Sequence, residues 1–338
     1  MARIIITLLL LGVSTISAGF TTDAFVAKIS AHLLKVYVAV PNGFGMGSAV
    51  VIAPDQVVTN CHVIADAQHV TVVVNDEKLP ATALKADWHH DLCILKVSGL
   101  EAFNLPVANI GSSEKLKYEQ PVYSIGFANN SPRANATFGY VKGLYQLDDS
   151  VVVRASNTFK LGDSGGGVFD EDGNLVAIIA VKSPGKQAFY YNMSVEWVKK
   201  LMNAPEQNIV TKSELPFWAE APAKWPYFMK IVHPLKTGDW EKLSKIASEW
   251  AEKEPQALEA TFYQAVAEYG LKKTDYAELH LKQVVSMNQL HSGAMHYLGL
   301  IAEQSGKHAD ALEMVAMLDH LQDRTAATDL KIAMGMLE

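Results

Sequence analysis

The run KLGDSGGGV, from Lys160 to Val168, constrains this chain more than any other stretch. Three glycines follow Ser164 directly, and Gly162 stands two residues before it. Because glycine tolerates backbone angles that other residues avoid, such a run can form a tight turn that presents the serine hydroxyl outward. The amides of Gly162 and Ser164 can then point at one spot, which would suit the oxyanion of a tetrahedral intermediate. Taken alone, the run fits a plain glycine-rich hairpin equally well.

Two upstream motifs supply the partners that a reactive serine needs. The segment TNCHV carries His62, and the segment HDLCIL carries Asp91. A histidine can take the serine proton, and a carboxylate can hold the histidine in the correct tautomer. The separations, 29 residues from His62 to Asp91 and 73 from Asp91 to Ser164, place the first two in one lobe and the serine in another. Asp87 is the rival carboxylate, and Asp91 is preferred because the strand after it, Leu92 to Leu95, matches the family resemblance described next.

Together, the three motifs in the order His, Asp, Ser resemble the trypsin-like serine peptidases, and within them the HtrA (Deg) branch of bacterial envelope proteases. The resemblance covers about residues 35–203. It implies that Ser164 is the nucleophile, His62 the base and Asp91 its orienting carboxylate, with an oxyanion hole at Gly162 and Ser164. Two features depart from that pattern. Asp163 stands where HtrA proteases usually have Asn, and the PDZ domains that normally follow the protease are replaced by a helical pattern.

The same resemblance places the substrate side-chain pocket beside the nucleophile loop and the strand after it. Its base then falls at Thr158 and Phe159, and its wall at Ala180, Val181 and Lys182. No carboxylate stands at that base, so a substrate Arg or Lys would be buried there without a counter-charge, which is costly. We therefore expect cleavage after small or medium apolar residues such as Val, Ala or Leu.

The chain has two cysteines, and each flanks a catalytic candidate. Cys61 precedes His62, and Cys93 follows Asp91 by two residues. If His62 and Asp91 touch, the two cysteines are neighbours, and an exported protein resides where disulfides persist. A Cys61–Cys93 disulfide is therefore expected, the alternative being two buried thiols.

The apolar pattern divides the chain into an all-β part and an all-α part. Residues 20–203 show short strands separated by turn residues, as expected for a trypsin-like double β-barrel. Within them the glycine-rich segment 43–48 is expected to form a turn. Residues 204–221 contain two prolines and few periodic apolar positions, which indicates a linker. Apolar residues at helical spacing then continue through residues 222–338.

A repeated motif indicates how these helices are organised. Turn-and-aromatic triplets begin at Gly238, Thr274 and Gly306, at intervals of 36 and 32 residues. Their mean matches the 34-residue period of tetratricopeptide (TPR) repeats, so a TPR-like helical-repeat domain is expected. Its concave surface could bring substrates or a protein partner to the protease.

Residues 1–19 are typical of a signal peptide. A positive charge at Arg3 precedes an apolar segment, residues 4–13, and small residues follow it. Ten apolar residues are too few to cross a bilayer. We therefore expect export to the periplasm or the medium and no stable membrane span after cleavage.

Neither the charge nor the side-chain spacing indicates a nucleic acid, a cofactor or a metal. The formal net charge is −7, with no basic patch of the kind that nucleic-acid binders carry. No cofactor is expected. His89 and His90 are adjacent, but no third ligand stands at metal-binding spacing in the sequence, so a surface pair without a metal is expected.

The sequence thus predicts an exported serine endopeptidase that acts on proteins or peptides and carries a helical-repeat domain. Two alternatives remain open. The barrel could be a catalytically silent scaffold or binding protein, although an intact set of motifs argues against that. The same residues could also serve a serine esterase, although the resemblance favours peptide substrates.

Overall fold

The computed structural model describes residues 23–41, 43–184, 188–209 and 214–337. The expected signal peptide, residues 1–19, lies outside these ranges. The described chain starts with helix α1 (Asp23–Ser30). None of the helices in these ranges has the length and apolar character needed to cross a membrane.

The first barrel is a closed sheet of six antiparallel strands. These are β1 (Leu33–Val40), β2 (Gly43–Ala53), β3 (Gln56–Thr59), β4 (His69–Val74), β5 (Glu77–Asp87) and β6 (Leu92–Val97). The neighbours run β1-β2-β3-β6-β5-β4, and β4 pairs with β1 to close the ring. A single helical turn, α2 (Cys61–Ile64), follows β3.

The expected turn at residues 43–48 is wrong, because β2 runs unbroken through those residues and pairs with β1. The glycines serve close packing rather than chain reversal. A Cβ added at Gly45 would lie 2.7 Å from the Val38 side chain, and one at Gly47 would lie 2.7 Å from the Val63 side chain. Only a residue without a side chain fits at these positions.

The second barrel repeats the first. Its strands are β7 (Pro121–Gly126), β8 (Asn135–Leu147), β9 (Ser150–Ala155), β10 (Gly167–Phe169), β11 (Leu175–Lys182) and β12 (Tyr190–Ser194). They neighbour one another in the order β7-β8-β9-β12-β11-β10, which is the order of the first barrel. Helix α3 (Val195–Met202) follows, and its N-cap Ser194 accepts a hydrogen bond from the Glu196 amide. The predicted double β-barrel is confirmed.

The C-terminal region is helical, as predicted. It contains α4 (Tyr227–Lys230), α5 (Val232–Thr237), α6 (Trp240–Lys253), α7 (Leu258–Gly270), α8 (Thr274–Met287), α9 (Ser292–Gln304), α10 (His308–His320) and α11 (Arg324–Ala333). Helices α6, α8 and α10 begin 34 residues apart, at Trp240, Thr274 and His308. Each of these starts lies within or directly after one of the three triplets.

Each barrel has its own apolar interior, and a third, larger core lies between the barrels and the helices. This larger core covers the outer face of the second barrel. There the Tyr145 ring stacks on Phe228 of α4 at 4.7 Å, and the Tyr191 hydroxyl donates to the Phe228 carbonyl at 3.1 Å. The helices therefore pack directly on the second barrel.

The described parts of the expected linker, residues 204–209 and 214–221, contact the first barrel at two points. Gln207 exchanges two backbone hydrogen bonds with Leu84 of β5, at 2.8 and 2.9 Å. The Phe217 amide donates to the His89 carbonyl at 3.0 Å, and the Phe217 side chain is buried. This connection therefore runs along the first barrel before it enters the helices.

Candidate active site

His62 and Asp91 are joined by two hydrogen bonds at one end of the first barrel. His62 lies on α2, directly after β3, and Asp91 precedes β6 in a left-handed conformation with φ of 59°. His62 Nδ1 lies 2.6 Å from Asp91 Oδ2, and the His62 amide donates to Asp91 Oδ1 at 2.8 Å. Because the fully buried carboxylate only accepts, the Nδ1 atom carries the proton and Nε2 is left with a free lone pair.

The rival carboxylate, Asp87, has a different partner. Its Oδ2 atom lies 2.7 Å from His90 Nδ1, and its Oδ1 atom accepts from the His90 amide at 3.1 Å. Asp91, and not Asp87, is therefore the carboxylate that contacts His62.

A disulfide joins Cys61 and Cys93, whose Cα atoms are 5.0 Å apart. Cys93 lies on β6 opposite Thr59 of β3, so the bond links the ends of two paired strands. These are the strand ends that carry His62 and Asp91. The bond therefore holds together the backbone on either side of the pair.

Ser164 belongs to the second barrel, and a buried residue that the sequence analysis missed, Ser48 of β2, ties its loop to the first. The Ser48 amide donates to the Ser164 carbonyl, and the Ser48 hydroxyl donates to the Gly162 carbonyl, both at 2.8 Å. The same hydroxyl accepts from the Phe127 amide at 2.9 Å. Thr59, three residues before His62, donates to the Ser48 carbonyl at 2.7 Å. Ser48 thus fixes the serine loop against the strand end that leads to the histidine.

The Ser164 hydroxyl itself donates a long hydrogen bond of 3.5 Å to the Ala180 carbonyl. Within the described residues, no hydrogen bond joins it to His62. Catalytic hydrogen bonds are often long or absent in proteins without substrate and tighten when substrate binds.

The backbone around Ser164 leaves two amides available. Leu161 accepts a hydrogen bond from the Asn129 amide at 2.7 Å, which turns the amide of Gly162 to the opposite side of the planar peptide. The Asp163 amide is used by Lys160, whose carbonyl lies 3.1 Å away. In the described part of the chain, the amides of Gly162 and Ser164 donate to no acceptor.

Gly162 must be glycine. Its φ is +96°, and a Cβ there would lie 2.6 Å from the Phe127 carbonyl oxygen. A side chain at this position would push the loop away from the second barrel. The glycine therefore keeps the free amide in place.

The Asp163 side chain folds back onto its own loop. Its Oδ2 atom accepts from the Lys160 amide at 2.8 Å, so a local amide satisfies one oxygen of this carboxylate. Burial raises the pKa of Asp163, although hydrogen bonds from the Lys160 and Ala128 amides act in the opposite direction.

Of the five expected pocket residues, Ala180 contacts Ser164, and the five differ in exposure. Ala180 is buried and accepts the Ser164 hydroxyl, whereas Lys182 is exposed. Phe159 is buried in the interior of the second barrel, with its ring 4.9 Å from Tyr190. Thr158 is exposed and Val181 half-buried. In this structure Phe159 therefore faces other barrel side chains rather than solvent.

Trp218 is a second residue that the sequence analysis missed. Its ring lies 5.4 Å from the His62 ring and meets it edge-on, at 87°. The neighbouring Phe217 is anchored by its amide to His89 and by its buried ring beside Phe228 of α4. The only hint in the sequence was an aromatic pair in an otherwise polar, proline-containing segment. The connection to the helices thus forms part of the active-site wall.

The expectation that His89 and His90 form a surface pair is wrong for His90, which is buried and stacks on Trp197 at 3.9 Å. Asp148, in the turn between β8 and β9, reaches both histidines. Its Oδ2 atom lies 3.1 Å from His89 Nε2 and 3.0 Å from His90 Nε2. The fold therefore supplies a third potential ligand that sequence spacing did not reveal.

Comparison with known proteins agrees with this geometry. Residues 47–178 match the family model of the trypsin-like peptidase domain. This segment is a trypsin-like peptidase domain. Among curated proteins, the probable periplasmic serine endoprotease DegP-like of Pseudomonas putida (strain GB-1) is 35% identical over 139 residues, covering 39% of this chain and 28% of that protein. The DegP-like protein of Hahella chejuensis is 31% identical over 169 residues, covering 46% and 34% respectively.

The chain spans roughly a third or less of the length of these relatives. Among solved structures, the active form of the Rv3671c protease from M. tuberculosis superposes with a TM-score of 0.50 and 23% identity. That match covers 56% of this chain and 88% of the other. It shows that the peptidase domain shares the double-barrel fold.

Proposed function

We propose that this chain is an exported serine endopeptidase that hydrolyses peptide bonds of proteins through His62, Asp91 and Ser164. One observation carries the proposal. His62 Nδ1 lies 2.6 Å from a fully buried carboxylate of Asp91, while the serine loop is bonded through Ser48 to the same end of the first barrel. This arrangement supplies a base with a fixed tautomer beside a serine nucleophile.

The residues would act in the order that acyl transfer requires. Ser164 Oγ attacks the substrate carbonyl while His62 Nε2 takes its proton, and the buried Asp91 stabilises the resulting imidazolium. His62 then returns the proton to the leaving amine, and water repeats the sequence on the acyl-enzyme.

The free amides of Gly162 and Ser164 would receive the oxyanion of the tetrahedral intermediate. Their direction is set before substrate arrives, because the carbonyl in the same peptide plane is already bonded in each case: Leu161 accepts from the Asn129 amide, and Asp163 accepts from the Gly166 amide. Preorganised donors of this kind are worth about 10²–10³-fold in rate each.

Several features support export and a protein substrate. The matched relatives are named periplasmic serine endoproteases. The Cys61–Cys93 disulfide suits an oxidising compartment, and residues 1–19 have signal-peptide character. Helices starting every 34 residues suit a TPR-like array that binds substrates or a partner protein.

The specificity follows from the charges near Ser164. The exposed Lys182 lies on the strand whose Ala180 contacts the nucleophile, and Lys160 is exposed on the nucleophile loop. Both repel a cationic side chain. We therefore expect the enzyme to cleave after Val, Ala or Leu rather than after Arg or Lys.

Unfolded casein tests the function and the specificity together. The mature protein should cut it, and mass-spectrometric mapping should place most cuts after small or medium apolar residues. Ser164→Ala, purified in the same way, controls for contaminating proteases. A majority of cuts after Arg or Lys would refute the pocket assignment. No cutting, together with hydrolysis of simple esters, would favour the esterase, and neither activity would favour the silent scaffold.

A further inference from the structure

A cluster of ligand atoms lies outside the triad, where the two barrels and the connection to the helices meet. His89, His90 and Asp148 each offer one potential ligand atom, and these three atoms all lie within 4.8 Å of one another. The Nε2 atoms of both histidines converge on the same oxygen atom, Asp148 Oδ2, at 3.1 and 3.0 Å. His89 and His90 come from the loop before Asp91, whereas Asp148 comes from the second barrel.

The other ring nitrogen of His90, Nδ1, already has a hydrogen-bond partner. His90 Nδ1 lies 2.7 Å from Asp87 Oδ2, and the amide of the same residue donates to Asp87 Oδ1. An ionised carboxylate accepts only, so Nδ1 carries a proton. Nε2 is then the ring atom that faces Asp148 Oδ2, and it would coordinate a cation shared with that carboxylate.

We propose that His89, His90 and Asp148 bind a divalent transition-metal ion of the Zn²⁺ class. Imidazole nitrogen and carboxylate oxygen are donors that Zn²⁺ accepts, at about 2.0–2.2 Å. Ligands at such distances around one tetrahedral ion lie about 3.3 Å from each other, close to the 3.1 and 3.0 Å that separate the two histidine nitrogens from Asp148 Oδ2.

The surroundings of His90 resemble those of a ligand held in place by its neighbours. Metal-binding histidines usually donate their second ring nitrogen to a carboxylate, which fixes the ring and raises its basicity. Asp87 is placed for that role, and the stacking on Trp197 at 3.9 Å holds the ring plane. His89 and Asp148 are about half exposed, at 47% and 52%, so the remaining coordination positions face solvent.

The position of the site links it to the peptidase centre. His90 is adjacent to Asp91 in sequence, and the His89 carbonyl holds the Phe217 amide beside Trp218. An ion bound here would tie the Asp91 loop to the second barrel. It would stabilise the relative placement of the two barrels, on which the distance between His62 and Ser164 depends.

Calorimetric titration of the untagged full-length protein with ZnCl₂ tests the site directly. We expect one equivalent of Zn²⁺ to bind and to raise the melting temperature. His89→Ala and Asp148→Asn alter exposed side chains and should leave the fold intact, yet each should weaken binding at least tenfold. Asp87→Asn should weaken it by about 10–100-fold through loss of the supporting hydrogen bond.

A matched control lies on α10. His308 Nδ1 is 2.8 Å from Glu303, both at the surface, and this pair is outside the three-ligand cluster. His308→Ala should bind Zn²⁺ as the parent does. The proposal would be overturned if the parent bound no Zn²⁺ at micromolar concentrations. It would also be overturned if His89→Ala and Asp148→Asn bound as tightly as the parent, since the ion would then lie elsewhere.

Discussion

The two barrels share one strand order but differ in what covers and fastens them. Each barrel has its own apolar interior, and the larger core that includes the helices takes side chains from both. The first barrel carries His62 and Asp91 and is fastened by the Cys61–Cys93 disulfide. The second carries Ser164, and its Tyr145 and Tyr191 contact Phe228 of α4. The C-terminal helices thus pack directly on the barrel that holds Ser164.

Polar contacts add to this packing of the C-terminal helices on the second barrel. Lys142 of β8 binds Glu119 of the second barrel and Asp323 at the start of α11, at 2.6 and 2.7 Å. Its Nζ atom also donates to Ser292 of α9 at 3.3 Å. Burial raises the pKa of Glu119, although Lys142 opposes that effect. A largely buried lysine side chain thus joins the second barrel to two helices.

The largest effect is expected where the two barrels must act together. Ser164→Ala and His62→Ala should each lower the rate of peptide hydrolysis by about 10⁶-fold, and the double variant should be no worse, because these residues act as a unit. Steady-state rates on a peptide substrate, with circular dichroism to verify folding, check this. Residual activity within tenfold of the parent would contradict the assignment.

Removing Lys142 tests the dependence of the second barrel on the helices. Lys142→Met leaves two largely buried carboxylates without their cation, so the free energy of unfolding should fall by about 3–5 kcal/mol. Urea denaturation measures it.

The first barrel offers a matched control in Lys96, whose partners Asp55 and Glu206 are partly exposed. Lys96→Met should cost less than about 1 kcal/mol. Equal costs for the two variants would remove the proposed asymmetry between the barrels.

Trp218 tests whether the connection contributes to catalysis by the first barrel. An aromatic pair is worth about 0.5–1.5 kcal/mol, so Trp218→Ala should reduce kcat by about 2–10-fold, and Trp218→Phe should restore most of it. Trp225→Ala is the control, because Trp225 lies before α4 in the same region but makes no ring contact with His62. This variant should change kcat by less than about twofold, since it removes no aromatic pair with the histidine. A Trp218→Ala variant with unchanged kcat and only a raised KM would assign the residue to substrate binding instead.

The smallest effect concerns Asp163 in the second barrel. Because burial raises its pKa in the folded protein above its ordinary value of 3.8, the folded state binds this proton more tightly than the unfolded state. The contribution of Asp163 to stability therefore grows as pH falls through the raised pKa, and it is lost above it. Asp163→Asn should be at least as stable as the parent at neutral pH and should lack this pH dependence. Melting temperatures of the parent and of Asp163→Asn across the acidic range check the sign, and a parent that became less stable relative to Asp163→Asn on acidification would contradict it.

The sequence predicted the features that depend on residues close together in the chain. The motifs around His62, Asp91 and Ser164 carry local turn and strand signals, so the fold and the residues that meet could be predicted. The 34-residue spacing of the helices was also readable, because each repeat begins with its own turn signal.

Tertiary contacts were not readable in the same way. Ser48 lies in a glycine-rich run that resembles a turn, yet its role comes from a loop more than a hundred residues away. Trp218 and Asp148 reach His62 and His90 only because the connection and the β8–β9 turn pack across the first barrel. The spacing of residues along the chain does not reveal such long-range contacts.

Active-site labelling tests the central claim most directly, namely that His62 and Asp91 of one barrel activate Ser164 of the other. A fluorophosphonate probe should add once per chain, with the adduct mapped by mass spectrometry to Ser164, and His62→Ala should abolish the labelling in a folded protein. Labelling of a different residue, or labelling of Ser164 that persists at the parent's rate in His62→Ala, would contradict the account.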